Sequence, residues 1–255
     1  AVNEPITVKT IHLVAHEDLV PYAEVKAAYE ADGQIIKGAY SKVCKVFADA
    51  VNPKKKMVAL TFDDGPHPSY TDRILAVLEQ EGVKATFFVI GSQVDASTEP
   101  TIKRALEIGC EIGSHSFTHP YMSQLTPEEQ TLQSQQTINA IEQYAPTPKY
   151  FRPPYMDADE TTHNIVPQIF IGGYCPDDWD ANVSAEERIK GLMENATDGL
   201  IFILHDFKDN NGTAEALASV IPALQAKGYG LVSVDELFTI KGVTPQKGII
   251  YKKAK

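Results

Sequence analysis

Met57-Val58-Ala59-Leu60-Thr61-Phe62-Asp63-Asp64-Gly65-Pro66 is an apolar run that closes on two carboxylates and a turn. A short apolar run of this kind reads as a strand buried on both faces. Side chains alternate along a strand, so two neighbouring aspartates inside it would point opposite ways. At its end, where Gly65 and Pro66 bend the chain, both can approach one cleft. That geometry suits one carboxylate on a metal ion and the other beside a water. The plain alternative is an acidic turn that merely ends a strand.

Working outward, short apolar runs recur at 84–90, 111–114, 150–152, 169–172, 200–204 and 230–233, making seven strands with 57–62. Helical patterns lie between them. Thr126-Pro127-Glu128-Glu129 sets a capping Thr, a proline at the first helical position and Glu at the third. Ser184-Ala185-Glu186-Glu187 and Ser233-Val234-Asp235-Glu236 repeat the capping pattern, and Gly82, Gly109 and Gly228 follow helical runs as left-handed C-caps. Alternating strand and helix predicts an α/β fold with a parallel sheet covered by helices, and this many units favours a closed or nearly closed barrel.

The chain of 255 residues is long enough for one large α/β domain or two smaller ones. Its 43% hydrophobic and 22% charged content is that of a soluble globular protein. A net charge of -11 disfavours nucleic acid or an anionic membrane surface as the main partner, because either would repel it. No apolar run approaches the roughly 20 residues of a membrane span, and no charged-then-apolar leader opens the sequence. Cys44, Cys110 and Cys175 include no Cys-x-x-Cys pair, which argues against a disulfide framework or a Cys-rich zinc site. Each reads as a small buried hydrophobe.

Residues 1–55 read as an N-terminal extension of unknown role, with a weak strand at Ile6, Val8 and Thr10 and helical spacing at Ile36, Tyr40, Val43 and Phe47. His12 and His16 lie four apart but have no acidic partners, and read as surface or packing residues. Residues 56–243 form the expected catalytic domain and 244–255 a C-terminal tail.

In parallel α/β folds the chemistry collects at the C-terminal ends of strands. Here those ends carry Asp63-Asp64, Ser114-His115-Ser116-Phe117-Thr118-His119, Arg152-Pro153-Pro154-Tyr155, Pro176-Asp177-Asp178-Trp179-Asp180 and Leu204-His205-Asp206. His115 and His119 are spaced to grip one ion, and a carboxylate from the first strand completes a His-His-Asp set. Three protein ligands and an open position describe a catalytic divalent-metal site.

Thr-Phe-Asp-Asp-Gly-Pro, His-Ser-x-x-His, Arg-Pro-Pro-Tyr, Asp-Trp and Leu-His, in this order, resemble the five motifs of the polysaccharide deacetylase family, the NodB-homology or carbohydrate esterase family 4 domain. The resemblance covers about 57–243 and implies a distorted (β/α)7 barrel. It implies Asp64, His115 and His119 as ligands of one divalent ion, usually zinc and sometimes cobalt, and Asp63 as general base. Arg152 would keep Asp63 ionised, and the Tyr155 backbone N–H would stabilise the oxyanion, since Pro153 and Pro154 have no N–H to give. His205 matches the general acid and Asp178 its partner, with Asp177 left open because Cys175 stands where many members have the first Asp of Asp-x-x-Asp-Trp. Trp179 and Leu204 would line a pocket for the acetyl methyl, with Pro153 also at the substrate. His67 either touches substrate or lies on the rim, and His163 reads as a surface residue.

The activity implied is removal of acetyl groups from a polysaccharide. N-acetylglucosamine units of peptidoglycan or a chitin-like polymer come first, with an acetylxylan esterase as the alternative. A catalytically inactive carbohydrate-binding barrel and a phosphoesterase are more distant readings. Polymeric substrates imply an extracellular or cell-wall setting.

Overall fold

The computed structural model describes residues 56–255. The readings of the N-terminal extension, including His12, His16 and Cys44, lie outside these residues. Seven strands and seven helices alternate: β1 (Lys56–Asp63), α1 (Thr71–Glu81), β2 (Thr86–Val89), α2 (Glu99–Glu107), β3 (Glu111–Ser114), α3 (Pro127–Ile141), β4 (Tyr150–Phe151), α4 (Glu160–Ile165), β5 (Ile169–Ile171), α5 (Ala185–Asn195), β6 (Ile201–His205), α6 (Asn211–Ala226), β7 (Tyr229–Val232) and α7 (Val234–Lys241). An additional short strand, β8 (Ile250–Tyr251), falls in the segment read as a tail and pairs in parallel with β5. Two residues carry no periodicity, so nothing local distinguished it from a tail.

The parallel order is β6-β1-β2-β3-β4-β5-β8, and β7 pairs with the first half of β1. The ends of this order approach each other. Tyr174, just after β5, bridges Phe202 of β6, and Leu200 bridges Lys253 beyond β8. The result is the distorted (β/α) barrel expected.

Caps locate the helix starts where they were read. Thr126, Ser184 and Ser233 each accept from the backbone of the Glu three residues on, and each Glu bonds back. A further capping box at the start of α4 uses Asp159 and Thr162, residue types that a search for Ser/Thr-x-x-Glu passes over. Gly82, Gly109 and Gly228 all have left-handed φ.

Alternation in β1 and β6 sets what faces the barrel axis. Val58, Leu60 and Phe62, with Phe202 and Leu204, pack outward in the large core with Leu75, Leu78 and Leu217 of α1 and α6. Met57, Ala59 and Ile201 belong to the smaller inner cluster with Phe88. The inward positions of β1 therefore run Met57, Ala59, Thr61, Asp63, turning from apolar to polar toward one end. No described helix is long and apolar enough to cross a membrane.

Candidate active site

The register places Asp63 opposite His205, at the C-terminal ends of adjacent strands. Asp63 ends β1 facing inward. Asp64 follows with φ 75°, a left-handed conformation uncommon for a non-glycine residue. That turn brings the two neighbouring carboxylates to one cleft. Gly65 is required immediately after: a Cβ there would lie 2.3 Å from Asp206 Oδ2.

Asp63 Oδ1 accepts from Arg152 Nη1 at 2.6 Å. Arg152 is 1% exposed, and its remaining donors reach Thr61 Oγ1 (2.7 Å), the Ile171 carbonyl (3.1 Å) and the Gly172 carbonyl (3.3 Å). Its guanidinium also lies 4.2 Å from the Phe88 ring centroid. Burial pulls the guanidinium pKa down and the Asp63 charge opposes it. An arginine in such a site remains cationic.

Asp64 Oδ1 lies 3.3 Å from His115 Nε2 and 3.1 Å from His119 Nε2. His115 Nδ1 is 2.7 Å from the Arg152 carbonyl, which can only accept, so the proton of a neutral ring sits on Nδ1 and Nε2 is bare. Two acceptors, Nε2 and Oδ1, then face each other, and Oδ1 is buried without a hydrogen bond. A cation between them removes the conflict. His–His–Asp oxygen and nitrogen donors suit a divalent ion, and a carbonyl behind the first imidazole is the usual orienting contact.

The histidine loop is shaped by Ser116 and His119, both with left-handed φ, and by Gln133 of α3, which accepts from the N–H groups of Phe117 (2.8 Å) and Thr118 (2.9 Å). Gln93 donates to the Asp64 carbonyl at 3.0 Å. Neither glutamine belongs to a motif, and no sequence signal marks them.

Across the cleft, His205 Nδ1 lies 2.7 Å from Asp178 Oδ1, and the His205 backbone N–H donates to Asp178 Oδ2 at 2.9 Å. Asp178 is fully buried. Asp177 is exposed, with φ 55°. The partner of His205 is thus Asp178. Burial pulls the imidazole pKa down, but Asp178, aided by Asp63 and Asp64, pushes it up to about 9. The half-buried Cys175 places Sγ 3.9 Å from Asp178 Oδ1. Cys110 is buried, as expected.

Tyr155 has φ 57° and an exposed ring that stacks 3.9 Å from that of Tyr121 and meets His119 edge-on at 4.7 Å. Trp179 is exposed beside Asp178, and Pro153 is buried beside Arg152. Leu204 does not face this cleft. It alternates with His205, pairs with Phe62 and packs outward at 1% exposure. The apolar residue sharing a strand face with His205 is Ile203, two residues back. Period-two alternation from His205 carries that signal in the sequence. His67 turns its ring to Tyr70, and His163, expected at the surface, is half-buried against Phe170, 4.2 Å between centroids.

The family model described as polysaccharide deacetylase matches residues 50–169. A peptidoglycan-N-acetylglucosamine deacetylase of Bacillus cereus is 35% identical over 196 residues, 73% of this chain and 90% of that protein. The chain belongs to the polysaccharide deacetylase family. Within it, a bifunctional xylanase/deacetylase of Pseudobutyrivibrio xylanivorans is 41% identical over 75% of this chain, which spans only 32% of that protein's length. A family 4 acetyl xylan esterase from Clostridium thermocellum, solved with a cobalt ion, superposes with TM-score 0.75 at 40% identity, covering 78% of this chain and 98% of that one. Carbohydrate deacetylases acting on amides and on esters are therefore both among the relatives.

Proposed function

We propose that this polysaccharide deacetylase is a divalent-metal-dependent hydrolase that removes acetyl groups from N-acetylglucosamine units of peptidoglycan or a chitin-like polymer. The observation that carries this reading is the convergence of three units on one rim: Asp64 with His115 and His119, Asp63 with Arg152, and His205 with Asp178. Catalysis is assigned to the domain from residue 56, since the whole set lies between Asp63 and His205. An inactive barrel is disfavoured because no member of the set is missing. A phosphoesterase would need cationic phosphate clamps, and the Arg152 cation is buried on Asp63.

A divalent ion held by Asp64, His115 and His119, zinc or cobalt by preference, would act as a Lewis acid for water and the acetyl carbonyl. Asp63 is the general base. Arg152 occupies its Oδ1, leaving Oδ2 to take a proton as water oxygen attacks the acetyl carbon. The Tyr155 N–H donates to the developing oxyanion. His205, with Nδ1 held by Asp178, gives its Nε2 proton to the departing amine as the C–N bond breaks, releasing acetate. Ile203 and Trp179 offer apolar surface to the acetyl methyl and sugar.

The relative matched over 90% of its own length bears a peptidoglycan-N-acetylglucosamine deacetylase name, which supports the amide. A second reading, removal of O-acetyl groups from acetylxylan, is favoured by the 41% and 40% identities to xylan-directed relatives. The same base and acid serve either bond. Such polymers place the enzyme's work in the cell wall or outside the cell. Acetate release from chitooligosaccharide, peptidoglycan and acetylated xylan, measured side by side, decides between them; no release from any of the three would end the proposal.

A further inference from the structure

Arg188 of α5 is 5% exposed. Its guanidinium does not pair with a carboxylate in the described structure; four neutral oxygens take its hydrogen bonds. Nη1 donates to Asn210 Oδ1 at 2.6 Å and to Thr213 Oγ1 at 3.2 Å. Nε donates to the Val183 carbonyl at 3.1 Å, and Nη2 to the Asp180 carbonyl at 3.2 Å. Three segments meet on this one side chain: the loop carrying Asp178 and Trp179, the turn after β6, and the start of α6.

Both Nη1 acceptors pass the constraint on. Thr213 Oγ1 receives a hydrogen from Arg188, so its own proton is committed elsewhere, to Asp178 Oδ2 at 2.6 Å. Asn210 has its oxygen fixed by Arg188 and donates Nδ2 to the His205 carbonyl at 3.0 Å. One arm therefore ends on the carboxylate and the other on the histidine of the same pair. We propose that Arg188 is the positioning residue of the Asp178–His205 pair, setting the aim of the general acid through Thr213 and Asn210. This rests on the reading of His205 as the acid.

Gly212 makes the arrangement possible. A Cβ at this position would lie 2.7 Å from Arg188 Nη1 and 3.0 Å from Cζ, so only glycine lets the guanidinium lie against the first turn of α6. The same feature supplies a clean test. Gly212→Ala replaces a helical glycine, which favours the helix, while displacing the guanidinium without deleting its charge. Arg188→Lys also keeps the charge but loses the fork. The charged groups acting on His205, namely Asp178 from the loop after β5, Asp63 at the end of β1, Asp64 just after it and neighbouring Asp206, are unchanged in both.

The experiment measures kcat and KM for acetate release, thermal stability, and the titration of the His205 imidazole by NMR in the full chain. With Asp178 less firmly placed, the imidazole pKa falls toward 6.5 in both variants, and kcat drops about tenfold with KM nearly constant. Gly212→Ala should do this in protein that is still folded at the assay temperature. An unmoved or raised His205 titration, or activity lost only in proportion to folded protein, overturns the proposal. The titration does not depend on turnover. Parent protein that titrates as described but releases no acetate would instead count against the deacetylase reading.

Discussion

Arg152 and Asp63, from strands that are not neighbours in the sheet, meet at 2.6 Å with both side chains almost wholly buried. The pair separates the two adjacent aspartates chemically. Asp63 is held by a cation, whereas Asp64 points its buried oxygen at two imidazoles. Asp63→Asn therefore should retain bound metal while kcat falls between about a hundredfold and ten-thousandfold, as for a lost general base. Metal content by emission spectroscopy is the deciding measurement, because loss of the ion would mean that the roles of the two aspartates are exchanged.

Arg152→Met leaves the Asp63 carboxylate buried without its partner. Removing one member of a buried ion pair costs about 3–5 kcal/mol. Urea denaturation should report that loss, and an unchanged midpoint would show that Asp63 is solvated in a way the barrel interior does not suggest.

The His205 imidazole, raised to about 9, sets the alkaline side of the pH profile. The acid works protonated, so kcat/KM falls as pH rises through that value. Asp178→Asn removes the main group holding the proton, and the limb moves down toward 6.5. Stability follows the same sign: a folded pKa above the unfolded one gives a contribution present below 6.5 and lost as pH rises through about 9. Parallel pH–rate and pH–denaturation curves of parent and variant check both; coincident curves would remove Asp178 as the partner.

Prolonged chelation should abolish acetate release, and zinc or cobalt should restore it. Chelated protein should remain folded by circular dichroism, since its core lies around the strands and helices below the rim. Full activity in metal-free protein would eliminate the proposed mechanism.

Leu204→Ala and Ile203→Ala separate two adjacent residues by strand face. Truncating Leu204 opens a hole in the outer core and costs about 2–5 kcal/mol of stability, with kcat/KM of the folded fraction preserved. Truncating Ile203 should chiefly raise KM. The reverse assignment of the two effects would place the acetyl pocket back on Leu204.

Much of this protein is determined locally. Strand-length apolar runs, three capping boxes and glycine C-caps fixed the alternation of elements, because such signals depend on residues within one turn or one strand. The motif residues then fell on strand ends, as the rule for parallel α/β folds requires. Leu204, which the motif resemblance places at the acetyl methyl, faces the outer core instead, because alternation puts it on the opposite strand face from His205. Strand β8 was too short to leave a pattern. What the tertiary structure alone decided is which atoms meet. Asp178 rather than Asp177 reaches His205 because the loop turns at Asp177, and Arg188, Thr213, Gln133 and Gln93 hold the site through hydrogen bonds between segments far apart in sequence. Those contacts depend on packing of β1, β6, α3, α5 and α6, and no window of sequence contains it.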